Sequence, residues 1–254
     1  MPNAATSAVA AVPQIELSNV AVRSVLLEDE APAISGIDWR LHPGEFWAIG
    51  GVHDWEQSHL LRTMAGLESP LEGTARCFGF EINDGPEDTL RQKRLRIALV
   101  PPGGGRMFHG QTVAENVALP LRYHRNWSEA EAEDQVAALL DLTGLTPVAR
   151  KSAGGLGRHW RQRVGLARAL GVGPEVLLLD QPLARLDFGE RDWCIEFLHR
   201  LRNGALPIPG IRPQSIVVTT ESIAPWKSQA GNFAMVEKKR WRTLSDTAEL
   251  SESP

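Results

Sequence analysis

The stretch that most constrains the fold is Val176-Leu177-Leu178-Leu179, four aliphatic residues in a row between Pro174 and Pro182, running into Asp180 and Gln181. Such a run, closed by prolines that cannot sit inside a ladder, fits a strand buried on both faces, as in a parallel sheet covered by helices. Open α/β sheets present their chemistry at the carboxyl ends of strands, which is where this run carries its acid. Just upstream, Arg161 to Leu170 places apolar residues at helical spacing, so the local order is helix, short loop, strand, acid.

The rest of the chain fits that frame. Ile15 to Val25 and Ile37 to Leu41 alternate apolar and polar residues ahead of the turn His42-Pro43-Gly44-Glu45, which predicts two or three antiparallel edge strands. Phe46-Trp47-Ala48-Ile49 reads as a buried strand entering Gly50-Gly51, and Leu60 to Leu67 as a helix closed by Gly66. Strand, glycine turn and helix form the unit from which phosphate loops are made. Gly73 to Ile82 reads as a hairpin and Ile97 to Val100 as a short buried strand stopped by Pro101-Pro102-Gly103-Gly104-Gly105. From Thr112 to Leu142 the pattern is largely helical, with a capping box at Ser128 and Glu131, and a helical subdomain is expected over about 112–155. Asp192 to Leu201 is a further helix, Ser215 to Thr219 a strand, and Gly231 to Leu244 a last pair of strands. Residues 1–12 read as a disordered leader without the basic start and long apolar stretch of a signal peptide, and about 245–254 as a polar, acidic tail, which leaves one domain over 13–254.

A hydrophobic content of 43% over 254 residues supplies a sizeable core, and a net charge of −4 argues against nucleic acid as a partner. Cys77 and Cys194 have no metal-ligand spacing and read as buried free thiols in a reducing cytoplasm. No window approaches the length of a membrane span, so work at a membrane would pass through a partner.

In order, these pieces resemble the ATP-binding cassette (ABC) subunits of transporters. Pro174 to Asp187 looks like the Walker B strand and the loop after it, and Arg161 to Leu170 like the helix that follows the family's signature. Gly44, Leu60 to Leu67 and Thr112-Val113-Ala114-Glu115-Asn116-Val117 match the family's phrasing too. The resemblance implies an α/β fold: a P-loop NTPase (RecA-like) core with an antiparallel β edge and an inserted helical subdomain. It also implies two cassettes facing each other, as a homodimer or a heterodimer, and docking onto a membrane permease subunit from the cytoplasmic side.

The chemistry does not follow the scaffold. Counting back from Leu60, the phosphate-loop positions hold Gly51, Asp54, Glu56, Gln57, Ser58 and His59, with Gln57 in place of the lysine and Asp54 and Glu56 in place of glycines. One cation is lost and two anions gained; at an effective dielectric of about 20 each unit-charge repulsion at about 4 Å is about 4 kcal/mol. Asp180 matches the carboxylate that orders magnesium, but Gln181 stands at the general-base position, where an amide cannot accept a proton. Counting back from Arg163, the signature falls on Leu156-Gly157-Arg158-His159-Trp160, with Arg158 and His159 replacing small residues. A register on Ser152-Ala153-Gly154-Gly155 requires an insertion before Arg161. Pro102 falls at the Q-loop glutamine, Thr220 at the switch histidine and Ser24 at the adenine-stacking aromatic.

The expected function is therefore a cytoplasmic, membrane-peripheral cassette with no catalytic residue and no cofactor, docked to a permease. Lipid cargo is suggested by the phrase Thr112 to Arg122. The alternatives are an active ATPase binding Mg-ATP through Ser58 and Asp180, and a scaffold or regulator unrelated to transport. His53, His59 and His159 are read as loop residues and not as a metal cluster, and the basic run Arg91 to Arg96 as a solvated helix face. Trp55 and Trp160 either fill the vacated nucleotide seam or pack locally.

Overall fold

The computed structural model describes residues 12–23, 32–51, 54–204 and 213–244, with the backbone alone for 54–56; Ser24, His53, the leader up to residue 11 and the tail from residue 245 lie outside the described residues. Ten strands among them form one sheet in the order β5-β4-β1-β2-β10-β9-β3-β8-β7-β6. The antiparallel end is built from β1 (Ile15–Arg23), β2 (Pro32–Leu41), β4 (Glu72–Cys77) and the two-residue β5 (Phe80–Glu81). The other end is a parallel block of β9 (Asn232–Glu237), β3 (Phe46–Gly51), β8 (Ser215–Thr220), β7 (Val176–Leu179) and β6 (Ile97–Val100), and β10 (Arg240–Leu244) joins the two.

The parallel strands read as continuous apolar runs because both faces are covered. Phe46, Ala48, Leu177, Leu179, Ile216 and Val218 point into one core cluster, shared with the helices α3 (Val113–His124), α4 (Glu129–Leu142), α5 (Arg158–Gly171) and α6 (Phe188–Arg202). Their alternates Trp47, Ile49, Val176, Leu178 and Val217 point into a second cluster, shared with α1 (Asp54–Met64) and the antiparallel strands. A one-residue slip of β7 would exchange these two sets of neighbours, so its register is fixed from both sides.

The segment from Thr112 to Leu142 is two helices broken at Arg125–Ser128, where Asn126 takes φ 53°. Each half has its own capping box, the expected Ser128–Glu131 and a further one at Thr112–Glu115. The basic run is a solvated face only in part. α2 (Glu87–Arg94) buries no residue, but Arg96 lies beyond it, forming two hydrogen bonds to Glu175 at 2.5 and 2.8 Å with its guanidinium 3.5 Å above the Phe78 ring.

A proline–glycine turn after β6 packs hard on α5. A Cβ on Gly104 would lie 1.9 Å from the Arg161 carbonyl oxygen, and one on Gly165 would lie 2.5 Å from Gly104 Cα. Glycine at both positions lets the turn and the helix touch backbone to backbone, which sets the start of α5 beside residues 102–105.

Candidate functional site

The carboxyl ends of β3, β7 and β8 meet the start of α1, and a buried polar network fills the junction. Gln57 is fully buried; its Nε2 donates to the Thr220 carbonyl oxygen at 3.4 Å, and its Oε1 accepts from Gln181 Nε2 at 2.7 Å. Ser58 Oγ donates to Asp180 Oδ2 at 2.5 Å, while Thr219 Oγ1 donates to Asp180 Oδ1 at 3.0 Å and accepts from the Gln181 backbone N–H at 3.1 Å. Asp180 Oδ1 and Oδ2 are thus both engaged by hydroxyls, and the two glutamines bridge α1 to the end of β7.

Two local features let the sequence fold this way. A Cβ on Gly51 would lie 2.6 Å from Gln57 Nε2, so glycine at the end of β3 makes the room that the amide occupies. Gln181 has φ 49°, a conformation costing an ordinary residue about 1–2 kcal/mol. That turn aims its N–H at Thr219 and its side chain back at Gln57, and the hydrogen bonds at both ends hold the strained backbone in place.

The other sequence-derived positions are spread around this junction. Thr220 is buried, and its Oγ1 donates to the Ser222 carbonyl at 2.7 Å. Pro102 is exposed at the first position of a 3-10 turn, Pro102–Gly104, with no polar side chain to offer the network. Leu156 packs on the larger core, Gly157 is the N-cap of α5, and Arg158, His159 and Trp160 form its first turn. Ser152 lies outside α5; it caps a separate turn, Ala153–Gly155, and donates to the His109 carbonyl at 2.7 Å. The Trp160 ring packs against the core, beside His159 at 4.9 Å and under the Arg163 guanidinium at 5.3 Å. His59 Nδ1 meets Glu68 at 2.7 Å, so His59 and His159 lie in different surroundings. Among the described residues no three of His, Cys, Asp and Glu come together to hold a metal ion. Cys77 and Cys194 are buried, and burial pushes both thiols up to about 12.

Sequence reasoning missed two members of this architecture. Thr219 carries the Asp180 carboxyl and the Gln181 amide on one hydroxyl, and only its position one residue before Thr220 hinted at that. Asn116 is fully buried and fastens the segment after the proline–glycine turn to α3: its Oδ1 accepts from the Phe108 N–H at 2.9 Å, and its Nδ2 donates to the carbonyls of Phe108 at 3.1 Å and Thr112 at 2.9 Å.

The side chains named at this junction are neutral or acidic, with no cation among them. Ser58 and Asp180 are oxygen donors of the right kind for magnesium, side by side. Gln57, where the sequence reading expected the family's lysine, is a neutral amide hydrogen-bonded to Gln181 and Thr220.

The architecture is that of the P-loop NTPases. Over 91% of this chain it superposes on the ATP-binding cassette MJ0796, solved as a dimer bound to ADP and Pi, with a TM-score of 0.77, 24% identity and 99% of that chain covered. A second neighbour is cbiO1 from Clostridium perfringens, part of the ABC transporter complex cbiONQ, with a TM-score of 0.77, 22% identity, and 94% of this chain and 91% of that one covered. In sequence, the family model described as ABC transporter matches residues 34–184. The chain is also 30% identical, over 95% of its length, to the methionine import ATP-binding protein MetN of Nocardia farcinica, and 36% identical, over 80%, to MetN 2 of Salmonella typhimurium. The chain therefore belongs to the ABC transporter family, as an ATP-binding cassette domain. It spans 70% of the length of the Nocardia relative and 58% of the Salmonella one.

Proposed function

We propose that this chain is a cassette subunit of an ABC-type transporter that docks to a membrane permease and does not itself bind or hydrolyse ATP. The observation that carries this reading is the buried Gln57–Gln181 hydrogen bond. Two amides, standing where the family's lysine and general base would be, satisfy each other and fill the space between them, so neither is left to meet a phosphate or an attacking water. Asp54 and Glu56 add negative charge at the start of α1, against an incoming triphosphate.

A permease partner on the cytoplasmic side is the counterpart such a subunit needs. No helix among the described residues is long and apolar enough to cross a membrane. The relatives named for methionine import make a small amino-acid-like cargo a better guide than lipid. The phrase Thr112 to Arg122 that suggested lipid forms α3, whose Thr112, Val113, Asn116, Val117 and Leu121 serve capping and packing and carry no cargo information. Phosphate release from Mg-ATP by the purified chain tests the proposal: the expected rate is that of buffer alone. The competing reading, an ATPase working through Ser58 and Asp180, is favoured by their direct hydrogen bond. It requires turnover above buffer that Asp180→Asn abolishes.

A further inference from the structure

Between the end of α3, the second half of α5 and β6, the last strand of the sheet, lies a cavity of about 310 Å³. Leu99, Pro101 and Val172 give it an apolar wall, while Arg106, His124 and Arg168 bring polar groups to it; no Asp or Glu stands among its described lining residues. Gly104 and Gly165 also line it, and their backbone contact fixes that side. Arg168 Nη1 donates to the Arg106 carbonyl oxygen at 2.7 Å, which holds the guanidinium in place.

The positive charge there is not offset within the chain. Among the described residues no carboxylate pairs with Arg91, Arg106, His124 or Arg168. The carboxyl ends of α3 and α5 each supply about half a unit of negative charge. Arg125 already meets the α5 end, donating to the Val172 carbonyl at 3.1 Å. That leaves about half a unit against the guanidiniums of Arg91, Arg106 and Arg168. Partial burial, and after it the Arg91 charge, hold the His124 ring below the usual histidine range, and burial lowers Arg168 as well. An anion in the cavity would relieve both.

We propose that this cavity binds a phosphate monoester, either a small soluble ester or the headgroup of a phosphatidate. Guanidiniums present paired N–H donors that match phosphate oxygens, and an imidazole offers an N–H in either charge state. Several cations around one cavity favour a dianion over a single carboxylate. The volume lies at the lower end of the range for ligand pockets, about 300–1,000 Å³, which suits a phosphate carrying a short organic group against Leu99, Pro101 and Val172. β6 stands three strands from β3 in the order β3-β8-β7-β6, so occupancy of the cavity does not depend on whether the Gln57–Gln181 junction admits nucleotide.

Calorimetric titration of the full chain with glycerol 3-phosphate, at low salt and without magnesium, tests the site. One ester per chain is expected to bind with a Kd of about 1 mM or tighter, and more weakly at about 0.5 M salt. Arg106→Gln with His124→Gln, both exposed positions, should weaken binding by roughly tenfold or more. Arg168→Gln should do the same but also breaks the bond to the Arg106 carbonyl, so the exposed pair decides. Arg158→Gln, at the other end of α5, should bind like wild type. Flotation with vesicles of phosphatidate in phosphatidylcholine, against phosphatidylcholine alone, separates the two sources. Capture of wild type that the paired variant loses makes the headgroup the ligand, and ester binding without capture makes it the soluble ester. No heat of binding up to about 10 mM ester together with no capture, a paired variant that binds like wild type, or acetate that binds as tightly as the ester would overturn the proposal. Ester binding that Ser58→Ala removes would place the anion at the junction after β3 and overturn it as well. A chain that binds Mg-ATP, yet still loses the ester on changing Arg106 and His124, would refute the closed junction alone.

Discussion

Replacing Gln181 by glutamate restores the residue type expected of a general base and should damage the protein instead of reviving it. Gln181 is 5% exposed, and its Nε2 donates to Gln57 Oε1 at 2.7 Å. A carboxylate there withdraws the donor and faces a buried amide oxygen, next to the Asp180 carboxyl group. Leaving Gln57 Oε1 without this donor costs about 1–3 kcal/mol, and burying a charge without a cation adds more until the group protonates. The sum is about 3 kcal/mol at pH 8, which lowers the melting temperature of a domain this size by roughly 6–12 °C. Burial raises the new carboxyl's pKa above its unfolded value of about 4.3, so the folded state binds the extra proton and relative stability falls as pH rises between the two values. Near pH 5 a protonated carboxyl donates to Gln57 Oε1, and the deficit should shrink to about 1 kcal/mol. Gln181→Met, which removes the amide and adds no charge, should cost about 1–2 kcal/mol without that pH dependence. Thermal unfolding of the three proteins between pH 5 and 8 measures all of this. A glutamate variant as stable as wild type at pH 8, or one that hydrolyses ATP, would refute the reasoning.

Three further outcomes are expected. Gln57→Lys alone should not produce ATP binding, because Asp54 and Glu56 remain; a titration with a fluorescent ATP analogue that gave tight binding would show the electrostatic argument to be wrong. Gly165→Ala improves helix propensity by about 1 kcal/mol yet should lower stability by about 2 kcal/mol overall in denaturant unfolding, since its Cβ would meet Gly104 Cα at 2.5 Å. The Arg96 guanidinium holds Glu175 below the usual carboxylate range, so the pair's contribution is complete above the unfolded pKa and is lost as pH falls through the lower folded one. Against Glu175→Gln, wild type should keep a constant advantage of under about 1 kcal/mol at neutral pH that vanishes in acid unfolding once the pH has fallen through the lowered folded pKa.

The fold was legible because the apolar runs of β3, β6, β7 and β8 leave little choice of structure, and the turns between them are marked by proline and glycine. The division of each run between two cores was not visible, since every residue in it is apolar and only the pairing register decides which face it takes. Substitution at the candidate site was equally plain in Gln57 and Gln181, but that the two amides bind each other was not. They lie 124 residues apart, and the contact depends on the absent side chain of Gly51 and on the positive φ of Gln181. For Trp160 the sequence left two readings open, filling the nucleotide seam or packing locally, and the ring packs against its own core and Arg163. Arg96 was grouped with a helical charge run by composition, but its partner Glu175 arrives from the loop before β7, which no local pattern announces.

The central claim is that the space a nucleotide's terminal phosphates would need is filled by the protein's own amides. Calorimetric titration of the purified chain with Mg-ATP, beside Ser58→Ala, tests it most directly. The account predicts no heat of binding up to millimolar nucleotide for either protein; micromolar binding by wild type that Ser58→Ala removes would contradict it.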